Sequence, residues 1–214
     1  MPAFDHTLSD HSEIEPDNTA DPLTRARRRA SSVRRFGPPG TVHCVGCPIF
    51  RSRLARDLGL LLDLDRAVLE WSCLPDVVEF ADADGEIVER VPDFRIVESG
   101  GLERFVDAGR TGLTPIDRTV SYRTVAEDEI LLEPALSNAR DMMRYARWSV
   151  PLSDRVRLLA YLAEMSPITL IEAATAMRES PEPVGAVIAL FLRRVVSIEW
   201  RDDPTGPETQ VRIR

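Results

Sequence analysis

The chain contains no lysine, so all 27 of its cationic side chains are arginine. A phosphate-binding glycine loop needs a lysine at a fixed spacing, and the nearest candidate, Gly109-Arg-Thr-Gly112, has neither the residue nor the spacing. A nucleotide-binding loop of this kind is therefore excluded. The same absence removes lysine from every catalytic site that the chain could build.

Long apolar runs and a secretion signal are also missing. No stretch reaches the roughly 18 apolar residues that a membrane span needs. The first residues are acidic and polar, whereas a secretory signal begins with a basic region followed by an apolar one. These absences predict a cytoplasmic protein with no membrane partner.

Cysteine is scarce, and its number is odd. The chain has only Cys44, Cys47 and Cys73. An odd, sparse set is typical of free thiols in a reducing compartment rather than of a disulfide framework. With His43 the cysteines offer four potential zinc ligands, but the fourth would be a single cysteine in a predicted strand, whereas structural zinc usually has two close ligand pairs. Buried or incidental thiols are the favoured interpretation, and zinc is the alternative.

Charge is distributed unevenly along the chain. The formal net charge is −8, so any contact with nucleic acid has to be local. Residues 1–40 begin with an acidic stretch and offer few apolar side chains to bury, which predicts a disordered tail. Within this tail lies an arginine-rich arm whose members are Arg25, Arg27, Arg28, Arg29, Arg34 and Arg35. The arm either binds DNA phosphates through its charge or balances the acids before it.

Hydrophobic periodicity predicts an α/β domain over residues 41–150. Leucines recur at helical spacing over about 51–64, and a second helix is expected over about 134–147. Asp84-Gly85 and Gly100-Gly101 are turn signals between neighbouring strand-like runs. The predicted strands are 68–73, 77–81, 86–98, 103–108 and 120–125.

Residues 151–214 have the element order of a separate winged-helix domain. Thr169 and Glu172 fit a capping box at the start of one helix. A later helix carries an apolar stripe from Val184 to Val195, and a two-stranded hairpin ends the chain. The face of this helix expected to point outwards offers mainly glycine and alanine, whereas a groove-reading helix needs polar and basic side chains there. Docking to a protein is therefore favoured over reading of DNA bases.

Several stretches, in this order, resemble one family. FRSRLARDLGLLLDLDRAVLEWSCLPDVVEF, VPDFRIV, FVDAG and YRTVAEDEILLEPALSNARDMMRYAR are similar to the TnsA-like heteromeric transposase endonuclease subunits, and the likeness covers about residues 45–214. The resemblance implies a restriction-endonuclease-like mixed sheet with flanking helices, the PD-(D/E)xK fold, followed by a C-terminal winged-helix domain. It also implies a function in transposition, at transposon DNA ends beside a transposase and a regulatory ATPase.

The resemblance assigns metal ligands to two acids, Asp93 and Asp107. In such enzymes carboxylates hold the Mg²⁺ or Mn²⁺ ions that polarise the phosphodiester and activate a water molecule. The family adds a glutamate from its first helix and a lysine two residues after the second acid. Here these two catalytic positions are Ala55 and Gly109, and Asp57 lies about 200° around the helix from Ala55. The nuclease centre is therefore expected to be impaired.

Arginine could supply part of the missing lysine's role. Arg95 shares a strand face with Asp93 and is expected to reach a phosphate, whereas Arg110 is expected to point away from that face. Arginine stabilises charge but does not deprotonate water. The leading hypothesis is a pseudo-nuclease that binds DNA and partner proteins. The alternatives are an active Mg²⁺-dependent endonuclease that uses Asp93 and Asp107, and a winged-helix regulatory protein.

Overall fold

The computed structural model describes residues 20–32 and 40–214, except for the side chains of 30–32. These residues form a mixed α/β fold in which helices flank a mixed four-stranded sheet. The predicted α/β class is thereby confirmed. Within the described ranges, no helix is both long and apolar enough to cross a membrane.

The described residues form seven α-helices and ten strands. The helices are α1 (Pro22–Ser32), α2 (Arg53–Leu64), α3 (Glu127–Ile130), α4 (Ala135–Met142), α5 (Leu152–Met165), α6 (Leu170–Thr175) and α7 (Pro183–Leu192). The strands are β1 (Val68–Cys73), β2 (Val78–Ala81), β3 (Ile87–Arg90), β4 (Phe94–Glu98), β5 (Glu103–Ala108), β6 (Thr114–Pro115), β7 (Tyr122–Val125), β8 (Ile168–Thr169), β9 (Val196–Ile198) and β10 (Gln210–Ile213). A 3₁₀ turn at Met143–Tyr145 continues α4.

The central sheet has the strand order β1-β4-β5-β7. The first three strands are antiparallel neighbours, and β7 runs parallel to β5. Gly100 and Gly101 join β4 to β5 with positive φ angles, which glycine adopts without a Cβ clash, so the hairpin predicted here is confirmed. Phe94 pairs with Val106 in this hairpin, and the register brings Asp93, just before β4, close to β5.

The run 86–98, predicted as one strand, is two strands in different sheets. β3 belongs to a three-stranded sheet with the order β3-β2-β6, whereas β4 lies in the central sheet. The break includes Pro92, which lacks the N–H that a continuous ladder would need. The turn predicted at Asp84-Gly85 is present between β2 and β3. Because of the break, β3 leaves the central sheet and presents its last side chain, Arg90, to β5.

Helix α2 has apolar side chains on two sides and lies between two cores. Leu58 and Leu62 pack against the central sheet together with Trp71. Leu60 and Leu64 pack with residues of α4, α5 and α7. The same helix therefore fixes both the central sheet and the C-terminal helices.

The C-terminal segment has the predicted element order, with three helices followed by the β9-β10 hairpin. The short strand β8 pairs with β10 as a third strand. Thr169 and Glu172 form the predicted capping box at the start of α6. One apolar core runs through α2, α4 and this segment, so packing is continuous across the boundary predicted at residue 150. The division into two domains stays a prediction.

Helix α7 is buried on all sides, which overturns the prediction that one of its faces points outwards. Gly185, Ala186 and Ala189 of that face are all buried, whereas Glu182 just before the helix and Arg193 just after it are exposed. A Cβ on Gly185 would collide with the ring of Tyr145. The sequence did not reveal this, because glycine and alanine are among the residues most often fully buried. Their presence on a helix face is as compatible with a close helix contact as with an exposed surface.

The tail predicted to be disordered over residues 1–40 contains helix α1. Ala26 of this helix is buried against Leu74 and Val91, and Leu23 packs beside it. One turn of apolar side chains is therefore enough to dock the helix on the domain. Residues 1–19 and 33–39, with Arg34 and Arg35, lie outside the described ranges.

Candidate functional site

Asp93 and Asp107, the predicted metal ligands, lie side by side at one end of the central sheet. The backbone N–H of Asp93 donates to Asp107 Oδ1 at 2.8 Å, and the N–H of Ala108 donates to Asp93 Oδ2 at 2.9 Å. Asp93 is 6% exposed and Asp107 is 0% exposed. The strand register thus holds two carboxylates together out of solvent, and we call them the acid pair.

A guanidinium group bridges the acid pair. Arg51 donates from Nε to Asp93 Oδ1 at 2.7 Å and from Nη2 to Asp107 Oδ1 at 3.1 Å. Its side chain is 19% exposed, and its backbone directly precedes Ser52, the residue that caps α2. Arg51 therefore contacts both acids, as a metal ion shared by them would have to do.

Asp107 is also held through its second oxygen. Arg90 Nε donates to Oδ2 at 3.1 Å, and the Tyr122 hydroxyl donates to the same oxygen at 2.9 Å. The N–H of Asp93 and the Arg51 guanidinium donate to Oδ1. A carboxylate offers about four lone-pair positions. Those of Asp107 are therefore all used by protein donors.

Two arginines balance two acids in this cluster, yet burial still disfavours ionisation. Burial raises the pKa of Asp93 above its ordinary value; Arg51 opposes the rise and the charge of Asp107 adds to it. Burial also raises the pKa of Tyr122, so its hydroxyl keeps its proton and remains a donor. Burial lowers the pKa of Arg90, but Asp107 more than reverses this. The cation of Arg51 therefore favours the charged form of Asp93 against the effect of burial.

The two positions that lack the family's glutamate and lysine are both accommodated by the fold. Ala55 is buried in the apolar core under the central sheet. Gly109 has a φ angle of +86°, and a Cβ there would lie 3.5 Å from Leu54 Cδ2. Any other residue at 109 would be strained by that backbone conformation. Asp57 pairs with Arg140 of α4 at 2.9 Å, which agrees with the expectation that it does not replace the glutamate.

Two arginines of the predicted DNA-binding arm come together with the arginines of the site. Arg25 and Arg29 of α1 line a cleft of about 490 Å³ with Arg51 and Arg90, which we call the arginine cleft. Asp82 and Glu89 also line it, so the cleft is not uniformly basic.

The other described arginines with predicted roles lie elsewhere. Arg27 and Arg95 line a second cleft, and Arg95 donates to Glu103 on β5 at 3.0 Å rather than to either member of the acid pair. Arg28 and Arg110 are exposed. Arg95 was expected to reach a phosphate from the strand face that it shares with Asp93. In the structure it pairs with Glu103 instead.

Sequence reasoning missed Arg51, Arg90 and Tyr122. Arg51 could have been noticed, because an arginine just before the cap of a helix lies where the chain turns back towards the sheet. Arg90 was hidden by the prediction of one long strand over 86–98. Tyr122 gave no local signal, since its role depends on the parallel pairing of β7 with β5.

The potential zinc ligands do not form a metal site. His43 Nε2 lies 2.9 Å from the Leu192 carbonyl oxygen, while the Cys44 thiol donates to the Val45 carbonyl oxygen at 3.9 Å. Across residues 20–32 and 40–214, no group of three or more His, Cys, Asp or Glu side chains is arranged to hold a metal ion.

Comparison of the chain with protein-family models, with curated proteins and with solved structures gave no match. The resemblance to the TnsA-like subunits therefore stays a prediction, and no matched protein indicates a function for the chain.

Proposed function

We propose that this protein is a TnsA-like subunit of a DNA transposition machinery with an impaired nuclease centre, acting in the cytoplasm mainly as a DNA- and partner-binding adaptor. The observation that carries the proposal is the Arg51 guanidinium between Asp93 and Asp107. Arginine keeps its charge at any physiological pH. A metal ion would have to displace it from two charge-assisted hydrogen bonds.

The donors around the acid pair fit a Mg²⁺ or Mn²⁺ site poorly. Mg²⁺ demands near-octahedral oxygen coordination. Asp107 already accepts four hydrogen bonds from protein, and the helix position that would supply a third acid is Ala55. No hydrolytic step follows from this donor set.

The strand order supports the restriction-endonuclease-like fold that the proposal includes. An antiparallel hairpin carries the acid pair, and a parallel strand follows it in the sheet, which is consistent with a restriction-endonuclease-like core. Three helices with a three-stranded sheet support a winged-helix assignment for residues 151–214. Because α7 is buried, it is unsuited to enter a DNA groove, which favours the adaptor over a regulator that reads bases.

The arginine cleft is the part of the surface best suited to DNA in this proposal. With a net charge of −8, the chain attracts a polyanion only where arginines are concentrated. Arg25 and Arg29 supply that concentration beside Arg51 and Arg90, whose charges are balanced by the acid pair, and Asp82 and Glu89 also line the cleft. Contacts of this kind bind the phosphate backbone without selecting a sequence.

A supercoiled-plasmid nicking assay with Mg²⁺ or Mn²⁺ tests the impaired centre. Wild type and Asp93→Ala should give the same background nicking, and calorimetric titration with Mn²⁺ should show no binding to either. Nicking by wild type that disappears in Asp93→Ala would instead establish the active endonuclease.

Fluorescence anisotropy of a labelled short duplex tests the DNA contact. The double variant Arg25→Ala, Arg29→Ala should bind about tenfold more weakly, with a salt slope reduced by about 2, because two phosphate contacts are lost. Arg155→Ala, Arg178→Ala is the matched control, since both residues are exposed and lie in the C-terminal segment. Equal weakening by the two double variants would remove the arginine cleft from the proposal.

A further inference from the structure

Cys44 and Cys73 lie on the same face at the outer edge of the central sheet. Residues 43–45 form a parallel bridge to β1 through two backbone hydrogen bonds of 2.7 and 3.1 Å, which pairs Cys44 with Trp71. Paired residues point to the same side of a sheet, and so do residues two apart on one strand. Since Cys73 is two residues beyond Trp71, both sulfurs are directed to the same face.

The two thiols are neighbours on this face of the sheet. Both side chains are half-buried and pack against the apolar core under the sheet. The hydrogen bond from Cys73 lowers the pKa of Cys44, although burial and the charge of Asp63 oppose this. The same hydrogen bond and burial raise the pKa of Cys73. The pair thus places a thiolate-prone sulfur beside a protonated one, as a reactive dithiol requires.

A small reagent can reach this pair from solvent. Cys73 lines a cleft of about 470 Å³ together with the exposed Cys47. Arg27, Arg95 and Asp76 line the same cleft, and Arg95 is paired with Glu103.

We propose that Cys44 and Cys73 form a reversible redox pair that closes a disulfide in response to hydrogen peroxide or another small hydroperoxide. The Cys44 thiolate attacks one peroxide oxygen and the O–O bond breaks, which leaves a sulfenic acid on Cys44 and a hydroxide that takes up a proton to become water. The Cys73 sulfur then attacks the sulfenic sulfur, its proton passes to the departing hydroxyl group, and a second water leaves. Two electrons move from the thiols to the peroxide, and a thiol reductant reverses the change.

The disulfide would enclose the candidate site. The ring from Cys44 to Cys73 contains Arg51 and all of α2. Cys73 also pairs with Phe94, the residue after Asp93, so the closed bond lies at the same end of the sheet as the acid pair. Oxidation therefore restricts the segment that carries the bridging guanidinium.

Peptide mapping of the full-length protein tests the proposal directly. Reduced protein is treated with a slight excess of hydrogen peroxide, the remaining thiols are alkylated, and the digest is analysed by mass spectrometry. We expect one Cys44–Cys73 disulfide with Cys47 alkylated, full reversal by dithiothreitol, and a Tm raised by about 5 °C through loop closure.

Cys47→Ser is the matched control, and it should form the same disulfide as wild type. Cys44→Ser and Cys73→Ser should each lose it. A disulfide that involves Cys47, or oxidation of Cys44 without a cross-link, overturns the proposal. Because mapping of the wild-type protein gives the decisive result, the test does not depend on the folding of any variant.

Discussion

Two clusters of buried carboxylates show how the partners of an acid decide what its burial does. Asp154 at the start of α5 and Asp93 beside β4 are both buried. Burial opposes ionisation of Asp154, but hydrogen bonds from the Ser180 hydroxyl and from backbone N–H groups hold its pKa below the ordinary value. For Asp93 burial prevails, and its pKa is raised.

The difference comes from the number of acids in each cluster and from the type of group that donates hydrogen bonds to them. Asp154 is a single buried acid that pairs with Arg157, and it holds the chain after α6 through Ser180 at 2.7 Å and the N–H of Arg178 at 3.0 Å. The acid pair concentrates two like charges, which the guanidinium groups of Arg51 and Arg90 offset. The first arrangement is structural, because it fixes the chain after α6 to the start of α5. The second is of the kind that clusters at functional sites, where pKa values are perturbed.

Removing Arg51 should have the largest effect, because it leaves the acid pair without its bridging cation. We expect Arg51→Met to lower the free energy of unfolding at neutral pH by about 3 kcal/mol, the range for breaking a buried ion pair. Denaturant unfolding measures this. Combining the substitution with Asp93→Asn should recover part of the loss, since the unpaired charge is then removed.

The matched control for Arg51 is Arg53→Met, two residues away. The Arg53 side chain is 69% exposed, and its Nε lies 4.0 Å from Asp57. Solvent screens such a pair, so the change should be within about 0.5 kcal/mol. If both variants lose the same stability, the acid pair does not depend on Arg51 and the contrast with Asp154 disappears.

Asp154→Ala should have the next largest effect, about 2 kcal/mol, because it leaves buried donors without an acceptor. Arg157 should lose its order as well, since it donates to Asp154 at 2.8 Å. Unfolding in urea measures the loss, and Glu164→Ala on the same helix, at an exposed position, is the control. A loss no larger than that of the control would show that Asp154 does not stabilise the contact between α5 and the chain after α6.

The two acids should also have opposite effects on the pH dependence of stability. The lowered pKa of Asp154 means that its contribution is present above its ordinary pKa of 3.8 and is lost as pH falls through the lower folded value. The raised pKa of Asp93 means that the folded state holds its proton longer, so stability falls as pH rises above 3.8.

Urea unfolding of Asp154→Asn and Asp93→Asn between about pH 3 and pH 6 measures this contrast. Relative to wild type, Asp154→Asn should become less stable as pH rises within the acid range. Asp93→Asn should become relatively more stable over the higher part of it. Parallel curves for the two variants would contradict the opposite pKa shifts.

Local patterns were enough to predict most elements, whereas the two acids of the site were assigned by the family resemblance. The structure brings Asp93 and Asp107 together because the Gly100-Gly101 turn fixes the register of the hairpin that carries them. The capping box at Thr169 was equally local. In these cases the determining interactions lie within a few residues of one another or across one hairpin.

The features that could not be predicted depend on contacts between distant segments. Arg51 meets Asp107 across 56 positions of sequence, and no periodicity reports such a contact. The burial of α7 depends on Tyr145, and the docking of α1 depends on Leu74. The sequence therefore indicated an acid pair but not the guanidinium that decides how the pair behaves.

The smallest expected effect concerns Gly109, where the resemblance places a lysine. Gly109→Lys should reduce stability by about 1 kcal/mol, because a φ of +86° is unfavourable for a residue with a Cβ, and it should produce no nicking with Mg²⁺. Gly206→Lys is the control, since a Cβ there meets open space and its φ is not positive, so it should change stability by less than about 0.5 kcal/mol. If Gly109→Lys were neutral and gave nicking that depends on Asp93, the site would lack only one side chain. The acid pair would then be able to bind a metal ion whenever Arg51 moves away, rather than being permanently paired with Arg51.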